Sequence, residues 1–583
     1  MDAMMEQAEN DAYLSTLNDL KPTAPFDFGE QVEIKAHMET NPQLTEYPSV
    51  IKSHIGAYLF GRFCREEGLA CAPKWLFMES YCKLVNCSSL TASKNAANTL
   101  LNDFMDDSAF APPVKDSSDV TIWLDLGKVD TSNMAAVGPG LNPINFDLEN
   151  DLFSTAQQAI SGSKKKGFVE KAPFEAIAKA VSAYLFTNFF EKFSKSQYMH
   201  KYMKFEHFFS NHKFGEEDFE IFRVLGRGGF GLVNGCRCIR TGKVYAMKTM
   251  DKRRVKMNRG QQMCIYEKEL LECCNSRFVL DLKYAFVNDY ELFIIMDVKA
   301  GGDLNFQLQD QKKFSVAVSQ YYMVRVMLGL QDMHDAGWIY RDLKPENLLL
   351  DTDGTCSISD LGLACPYEEG MSGIAGTPGY WPPEMLLKKP YTKMCDFWTL
   401  GVVLVEFLTG TCPFRSKQAL EYGKSKGEKD KLLCCNLAVM EMDYVFDDSM
   451  GMSEEAIDLA QCLLKKNPDE RIGQTGIEEI RKHKFFEGFN WEAVKDGSMD
   501  PPFVPDSEVN AADSDSIGKF KNESEIQAID LSEKDHAKYK KFVHQNKKAF
   551  EEDVVGLLQW EQRQGRPLTA TPPLEKSKTC TIS

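Results

Sequence analysis

The densest chemistry lies in Ile339-Tyr340-Arg341-Asp342-Leu343-Lys344-Pro345-Glu346-Asn347, which is followed by Leu348-Leu349-Leu350 and then by Ser359-Asp360-Leu361-Gly362. A carboxylate placed two residues before a lysine can accept the proton of an attacking hydroxyl while the ammonium neutralises charge on a transferring phosphoryl group. Asn and Asp offer the hard oxygen ligands that Mg²⁺ on nucleotide phosphates requires. The intervening Asp353-Gly354 dipeptide predicts a tight hairpin that would turn Asn347 and Asp360 to one side. Asp342 is thus the candidate base, Lys344 its cationic neighbour, and Asn347 and Asp360 the candidate metal ligands.

Upstream, Gly226-Arg227-Gly228-Gly229-Phe230-Gly231-Leu232-Val233 fits G-x-G-x-x-G-x-V, a turn whose missing Cβ atoms let backbone N–H groups approach phosphate oxygens. The glycines join two predicted strands, which separates this loop from a strand-to-helix dinucleotide turn. Val244-Tyr245-Ala246-Met247-Lys248 then sets a lysine in the next strand, where it can reach the α- and β-phosphates. A following helix offers Glu267 as the acid that steadies Lys248, with Glu269 as the competing candidate. Downstream, Glu384 and Arg471 are expected to form a buried ion pair, and Asp396 to brace the catalytic loop; a lone partner of such a pair would be destabilising.

Around these residues the hydrophobic period changes twice. Ile55, Leu59, Phe60 and Phe63 predict an amphipathic helix, and Phe186, Phe189, Phe190 and Phe193 predict an aromatic face on another. From about 219 strands take over, with Leu292 to Val298 among them, and a helix is expected near 259–274. Beyond 315 helices dominate, with Met323, Met327, Leu330 and His334 on one face. After about 490 the chain is rich in Pro and acid, then helical again near 533–562.

The chain has 583 residues, enough for two to four domains. Its 68 basic and 85 acidic residues give a net charge of −17, which argues against a nucleic-acid partner, since phosphates need clustered Lys and Arg. The 17 cysteines include no Cys-x-x-Cys pair, so neither a zinc module nor a secreted disulfide framework is indicated, and a cytoplasmic setting is expected. No stretch approaches the ~18 apolar residues of a membrane span.

With those motifs in hand, 219–486 resembles the eukaryotic serine/threonine protein kinases of the AGC group. Asp-Leu-Gly at 360–362 and the Pro501-Pro502-Phe503-Val504-Pro505 phrase narrow the resemblance to the G-protein-coupled receptor kinases, on the rhodopsin-kinase-like branch. The fold class implied is α+β: a bilobal kinase inserted into an all-α regulator-of-G-protein-signalling (RGS) homology bundle. The division implied is a loosely ordered lead-in over 1–45, the homology helices over 46–208 with an irregular insertion at 106–150, the kinase over 219–486, an AGC-type tail over 487–529, the final helices of the bundle over 530–562, and a terminal tail over 563–583.

The resemblance also implies ATP and Mg²⁺ as cofactors, with Leu225, Val233, Ala246 and Leu349 sandwiching the adenine and Met296 behind it. It implies phosphorylation, and so desensitisation, of activated seven-helix receptors at the cytosolic membrane face, and a Gα subunit as a further partner. Gly373 stands where many AGC kinases carry an activating phosphothreonine, so that phosphate switch cannot operate here. Activation by lobe closure on docking is expected instead, with the tail after Pro505 crossing the nucleotide cleft. The ending Cys580-Thr581-Ile582-Ser583 resembles a prenylation box, which implies weak, reversible attachment to a membrane. Rival readings keep the kinase but give it soluble protein substrates, or make the chain a pseudokinase or Gα-binding scaffold.

Overall fold

The computed structural model describes residues 22–67, 72–86, 94–98, 158–161, 172–447, 450–505 and 523–567. The expectations placed on the 106–150 insertion, on the chain just after Pro505 and on Cys580 fall outside them.

The first layer is helical: α1 (Gln31–Thr40), α2 (Tyr47–Lys52), α3 (His54–Glu66), α4 (Ala72–Asn86), α5 (Ala172–Leu185) and α6 (Gln197–Asn211). α3 begins where the Ser53 hydroxyl accepts from the Gly56 N–H, and its expected stripe is buried throughout. Two expectations need correction. The lead-in is not loose as far as residue 45, because Phe26 packs edge-on against Phe205 and Phe208 and α1 forms behind it. Phe186 does not share the buried face of Phe189 and Phe193: residues Phe186–Phe190 make a π turn, whose extra residue rotates Phe186 out to 43% exposure.

The second layer is a sheet of β1 (Phe219–Arg227), β2 (Gly231–Cys238), β3 (Val244–Asp251), β4 (Leu282–Val287) and β5 (Glu291–Asp297), with α7 (Gln261–Cys273) between β3 and β4. β4 is a strand the sequence reading did not find. The order is β1-β2-β3-β5-β4, antiparallel between neighbours. Both faces are covered, which is why β3 and β5 read as apolar runs instead of alternating. Met250, Ile294 and Met296 belong to the core that continues into the following helical lobe, whereas Tyr245, Met247, Phe293 and Ile295 share a core with the N-terminal helices.

The large lobe is built on α8 (Val316–Asp335), the hairpin of β6 (Leu348–Leu350) and β7 (Cys356–Ile358), and α9 (Met394–Thr409). α9 is buried from Met394 to Leu408 and forms its axis.

Toward the C-terminus the expected helices of 530–562 form at Glu533–Ala537 and at Lys547–Arg563, but the chain between them is not helical. Tyr539 and Phe542 join the kinase core, and β8 (His544–Gln545) adds a sixth strand beside β4. Only then does α10 (Lys547–Arg563) begin, capped by Asn546. α10 returns to the N-terminal helices: the Glu551 carboxylate accepts from the His54 N–H at 2.8 Å, Tyr58 donates to Gln562 at 2.9 Å, and Lys547 pairs with Glu206 at 2.8 Å.

α10 also reaches the back of the sheet, where the Tyr245 hydroxyl donates to Asp553. Burial there pushes the Asp553 carboxyl up to about 7, against the opposing pull of Lys243, Tyr245 and Lys283. The folded state therefore holds this proton more tightly than the unfolded chain does. The stability it contributes is fully present below pH ~4 and is lost as pH rises through about 7. Asp553→Asn keeps an acceptor for Tyr245, so its Tm relative to wild type is expected to climb steadily from pH 5 to pH 8, as a calorimetric pH series would read.

Candidate active site

The cleft is lined from one side by the Gly-rich turn. A Cβ added at Gly226 or Gly229 would meet nothing within 4 Å, and one at Gly228 would meet only the Gly231 carbonyl at 3.9 Å. Their missing side chains therefore leave a cradle open to a phosphate chain and relieve no internal crowding. Gly231 differs, since a Cβ there would come within 1.7 Å of the Thr249 carbonyl, so the β2–β3 pairing itself requires glycine. The ring of Phe230 turns under the loop onto Gly260, just before α7.

Lys248 lies opposite Val233 on β2 and Ile294 on β5. Its Nζ reaches Glu267 Oε1 at 2.6 Å and Asp360 Oδ1 at 3.4 Å. Burial pulls the ammonium's pKa down, but Glu267 and Asp360 outweigh it and raise it, so Lys248 is held charged. Burial likewise pushes Glu267 up, with Lys248 opposing, while Lys248 above all holds Asp360 below the usual carboxylate range. Glu269 is exposed on the far side of α7, which decides between the two acids. Ala246 and Met296 are cross-strand neighbours and both buried, Leu225, Val233 and Leu349 are half-buried, and Leu232 pairs with Thr249.

On the opposite wall the catalytic loop is tied at every turn. Asp342 Oδ1 accepts from the Thr377 hydroxyl at 2.6 Å, and its Oδ2 accepts from Lys344 Nζ and Asn347 Nδ2, each at 3.1 Å. Lys344 Nζ also donates to Thr377 Oγ1 at 2.8 Å. Asn347 Nδ2 donates further to the Asp342 carbonyl at 2.9 Å, so the oxygen end of that amide is what remains for a cation. β6 and β7 pair as the Asp353-Gly354 turn predicts, and the Ser359 N–H and hydroxyl both donate to the Asn347 carbonyl at 2.9 and 3.0 Å. Asp360 is thereby set beside Asn347, in the left-handed region at φ +47° with its carboxylate exposed to the cleft. A carboxylate and an amide oxygen in a cleft that also offers Lys248, beside that carboxylate, and open glycines suit a divalent cation on a nucleotide polyphosphate.

The supports are as expected and more extensive. Asp396 accepts from the N–H groups of Tyr340 and Arg341 at 3.0 and 2.8 Å and from His334 at 2.7 Å. Tyr340 is fully buried and its hydroxyl donates to the Ser359 carbonyl at 2.7 Å. Arg341, at φ +72°, donates to the Leu363 carbonyl at 2.8 Å and to the Tyr391 hydroxyl at 3.0 Å. Thr377 was missed as a site residue; it lies within the Gly376-to-Glu384 motif, but its contact with a carboxylate 35 positions away has no local signal.

A small lobe of antiparallel sheet with one helix that carries Glu267 to Lys248, a larger helical lobe, and a polar cleft between them define a protein kinase. The Protein kinase domain family model matches residues 219–486. Over 414 residues the chain is 35% identical to Rhodopsin kinase GRK7 of Sus scrofa, covering 70% of this chain and 71% of that one, and over 415 residues it is 32% identical to Rhodopsin kinase GRK1 of Homo sapiens, covering 68% and 72%. It is 36% identical to G protein-coupled receptor kinase 2 of Caenorhabditis elegans over 362 residues, 60% of this chain and half of the nematode protein. The chain belongs to the G-protein-coupled receptor kinase family, on the rhodopsin-kinase-like branch, and is a serine/threonine protein kinase that uses ATP and a divalent metal.

Proposed function

We propose that this kinase phosphorylates activated seven-helix receptors at the cytosolic face of a membrane, with Mg²⁺ as its metal, and so desensitises them. The observation that carries the reading is the Asp342–Lys344–Thr377 cluster standing opposite a complete Lys248–Glu267–Asp360 set, a combination a pseudokinase scaffold has no need to keep. The substrate class rests on the printed names of the relatives, two of them rhodopsin kinases.

In the reaction a serine or threonine hydroxyl of the receptor gives its proton to Asp342 while its oxygen forms the new bond to the γ-phosphorus. The bond between that phosphorus and the β–γ bridging oxygen breaks, and ADP leaves. Lys344 stabilises charge on the passing phosphoryl group, and Lys248 holds the α- and β-phosphates. Asn347 and Asp360 would ligate Mg²⁺, which supplies charge neutralisation of the polyphosphate.

The helices of 46–208 together with α10 form the RGS-homology bundle in this reading, interrupted by the kinase and its tail, and that bundle offers the surface for a Gα subunit. Support comes from the single core in which α10 and the N-terminal helices share their apolar side chains. Attachment to the membrane is assigned to a prenyl group on Cys580, on the support of the Cys580-Thr581-Ile582-Ser583 motif. Cys580→Ser is expected to move the protein from the membrane to the soluble fraction of cells, and an unchanged partition would remove the lipid.

The test of the function is phosphate incorporation into a purified receptor with and without agonist, beside an acidic soluble protein. Incorporation into the receptor that depends on agonist supports it. Equal rates on the soluble protein would overturn it.

A further inference from the structure

The face of the sheet turned away from the nucleotide cleft closes against α10 around a cavity of about 300 Å³, whose lining includes Lys243, Tyr245, Lys283, Asp553, Gln559 and Arg563. The period of two along β3 puts Tyr245 on the face opposite Ala246 and Lys248, so this cavity is separate from the active site. Its inner wall is internally satisfied: Tyr245 donates to Asp553, and Lys283 is held by Asp281 and Asp297 at 2.9 and 3.0 Å. Glu552, the remaining acid of the lining, faces His54 at 4.0 Å.

The mouth differs: Lys243 and Arg563 are exposed and Gln559 half-buried, and among the described residues none of their side chains makes a hydrogen bond or an ion pair within 4 Å, although the Lys243 charge still acts on Asp553. Two of these are cations and all three offer N–H donors, and the fork of a guanidinium matches the oxygens of a phosphate. Burial raises the Asp553 carboxyl to about 7, which tempers the negative charge of the inner wall near neutrality. At ~30 Å³ for each water-sized group the cavity holds about ten such groups, roughly twice what a lone phosphate fills. The rest of a ligand would lie against Asp553, Asp297 and Glu552, whose carboxyl oxygens keep lone pairs for hydroxyls, beside Ala549 and Gly556.

We propose that this cavity binds a small polyhydroxylated phosphate ester, its phosphate held by Lys243, Gln559 and Arg563 and its hydroxyls by the inner wall. Such a ligand would bridge the strand that carries Lys248 on its other face to the helix that binds the sheet to the N-terminal layer.

The full chain, with its nucleotide cleft saturated by a non-hydrolysable ATP analogue, is titrated calorimetrically with glucose 6-phosphate, glycerol 3-phosphate, inositol monophosphate, glucose and inorganic phosphate. At least one ester is expected to bind about tenfold or more tighter than either glucose or phosphate, and the pair Lys243→Gln and Arg563→Gln to weaken it about tenfold or more, with peptide phosphorylation unchanged. Both side chains are exposed and make no hydrogen bond, so the double variant should stay folded, with any change in Tm confined to the loss of the Lys243 pull on Asp553. No binding of any ester at about 10 mM, binding by the double variant within about twofold of wild type, or phosphate alone binding as tightly as the esters would each overturn the proposal.

Discussion

Asp342→Asn is expected to slow phosphate transfer by about 10²–10⁴-fold, the range a positioned general base contributes, while Tm and the affinity for ATP stay near wild type. The substitution removes the carboxylate proposed to take the hydroxyl proton and leaves the shape in place. The new amide can keep its oxygen toward Lys344 and Asn347, which donate to Oδ2 at 3.1 Å each, and turn its NH₂ toward Thr377, whose hydroxyl oxygen can accept. Single-turnover kinetics with saturating ATP separates this from a folding defect. Transfer within about tenfold of wild type would take the role of base away from Asp342.

Glu384→Gln is expected to have the largest effect on stability, about 3–5 kcal/mol, because it leaves a guanidinium buried without its counter-charge. Arg471 is 1% exposed and every one of its N–H groups is used. Nη1 donates to Glu384 Oε1 at 2.8 Å and to the Met394 carbonyl at 2.5 Å, Nη2 to Glu384 Oε2 at 3.1 Å and to the Lys465 carbonyl at 3.1 Å, and Nε to Lys465 again at 3.2 Å. The guanidinium also lies over the Trp398 ring at 5.3 Å. Since Glu384 lies in the first turn of the short helix Pro383–Leu386, after the Gly376-to-Tyr380 turn, its loosening should also free Thr377 from Asp342 and lower activity in the molecules that remain folded. Hydrogen exchange across α9 reads the first effect, and kcat at a temperature well below the transition reads the second. Adding Arg471→Met should recover part of the stability, as removing both halves of a buried pair does. A Glu384→Gln protein as protected in α9 as wild type would show that the pair contributes nothing net.

The candidate catalytic residues stood out in the sequence because phosphoryl transfer dictates residue types and close spacing. A base, a cation and two metal ligands fit within Asp342 to Asp360, and the intervening hairpin has its own local signal in Asp353-Gly354. Lys248 was readable for the same reason, one strand away from the glycines, and the helix that follows narrowed its partner to Glu267 or Glu269. The long-range contacts had no such signal. Thr377 touches Asp342, His334 meets Asp396, and Arg341 is occupied by Leu363 and Tyr391, all through turns of the chain that no local pattern encodes.

The flanks show the same limit from the other side. The stripes of α3 and α6 announced helices, but the π turn that exposes Phe186 depends on packing around Tyr47 and Phe190, which the sequence period of Phe186, Phe189, Phe190 and Phe193 does not contain. A two-residue strand such as β8 is too short to leave a period at all, and it exists because β4 presents an unpaired edge to it. What the amino-acid sequence by itself determined was the chemistry and the kind of element that carries each part, since both follow from residue type and near-neighbour spacing. Tertiary structure alone decided which acid meets Lys248, where α10 docks, and how the back of the sheet comes to enclose a charged cavity, because those depend on surfaces brought together across hundreds of residues.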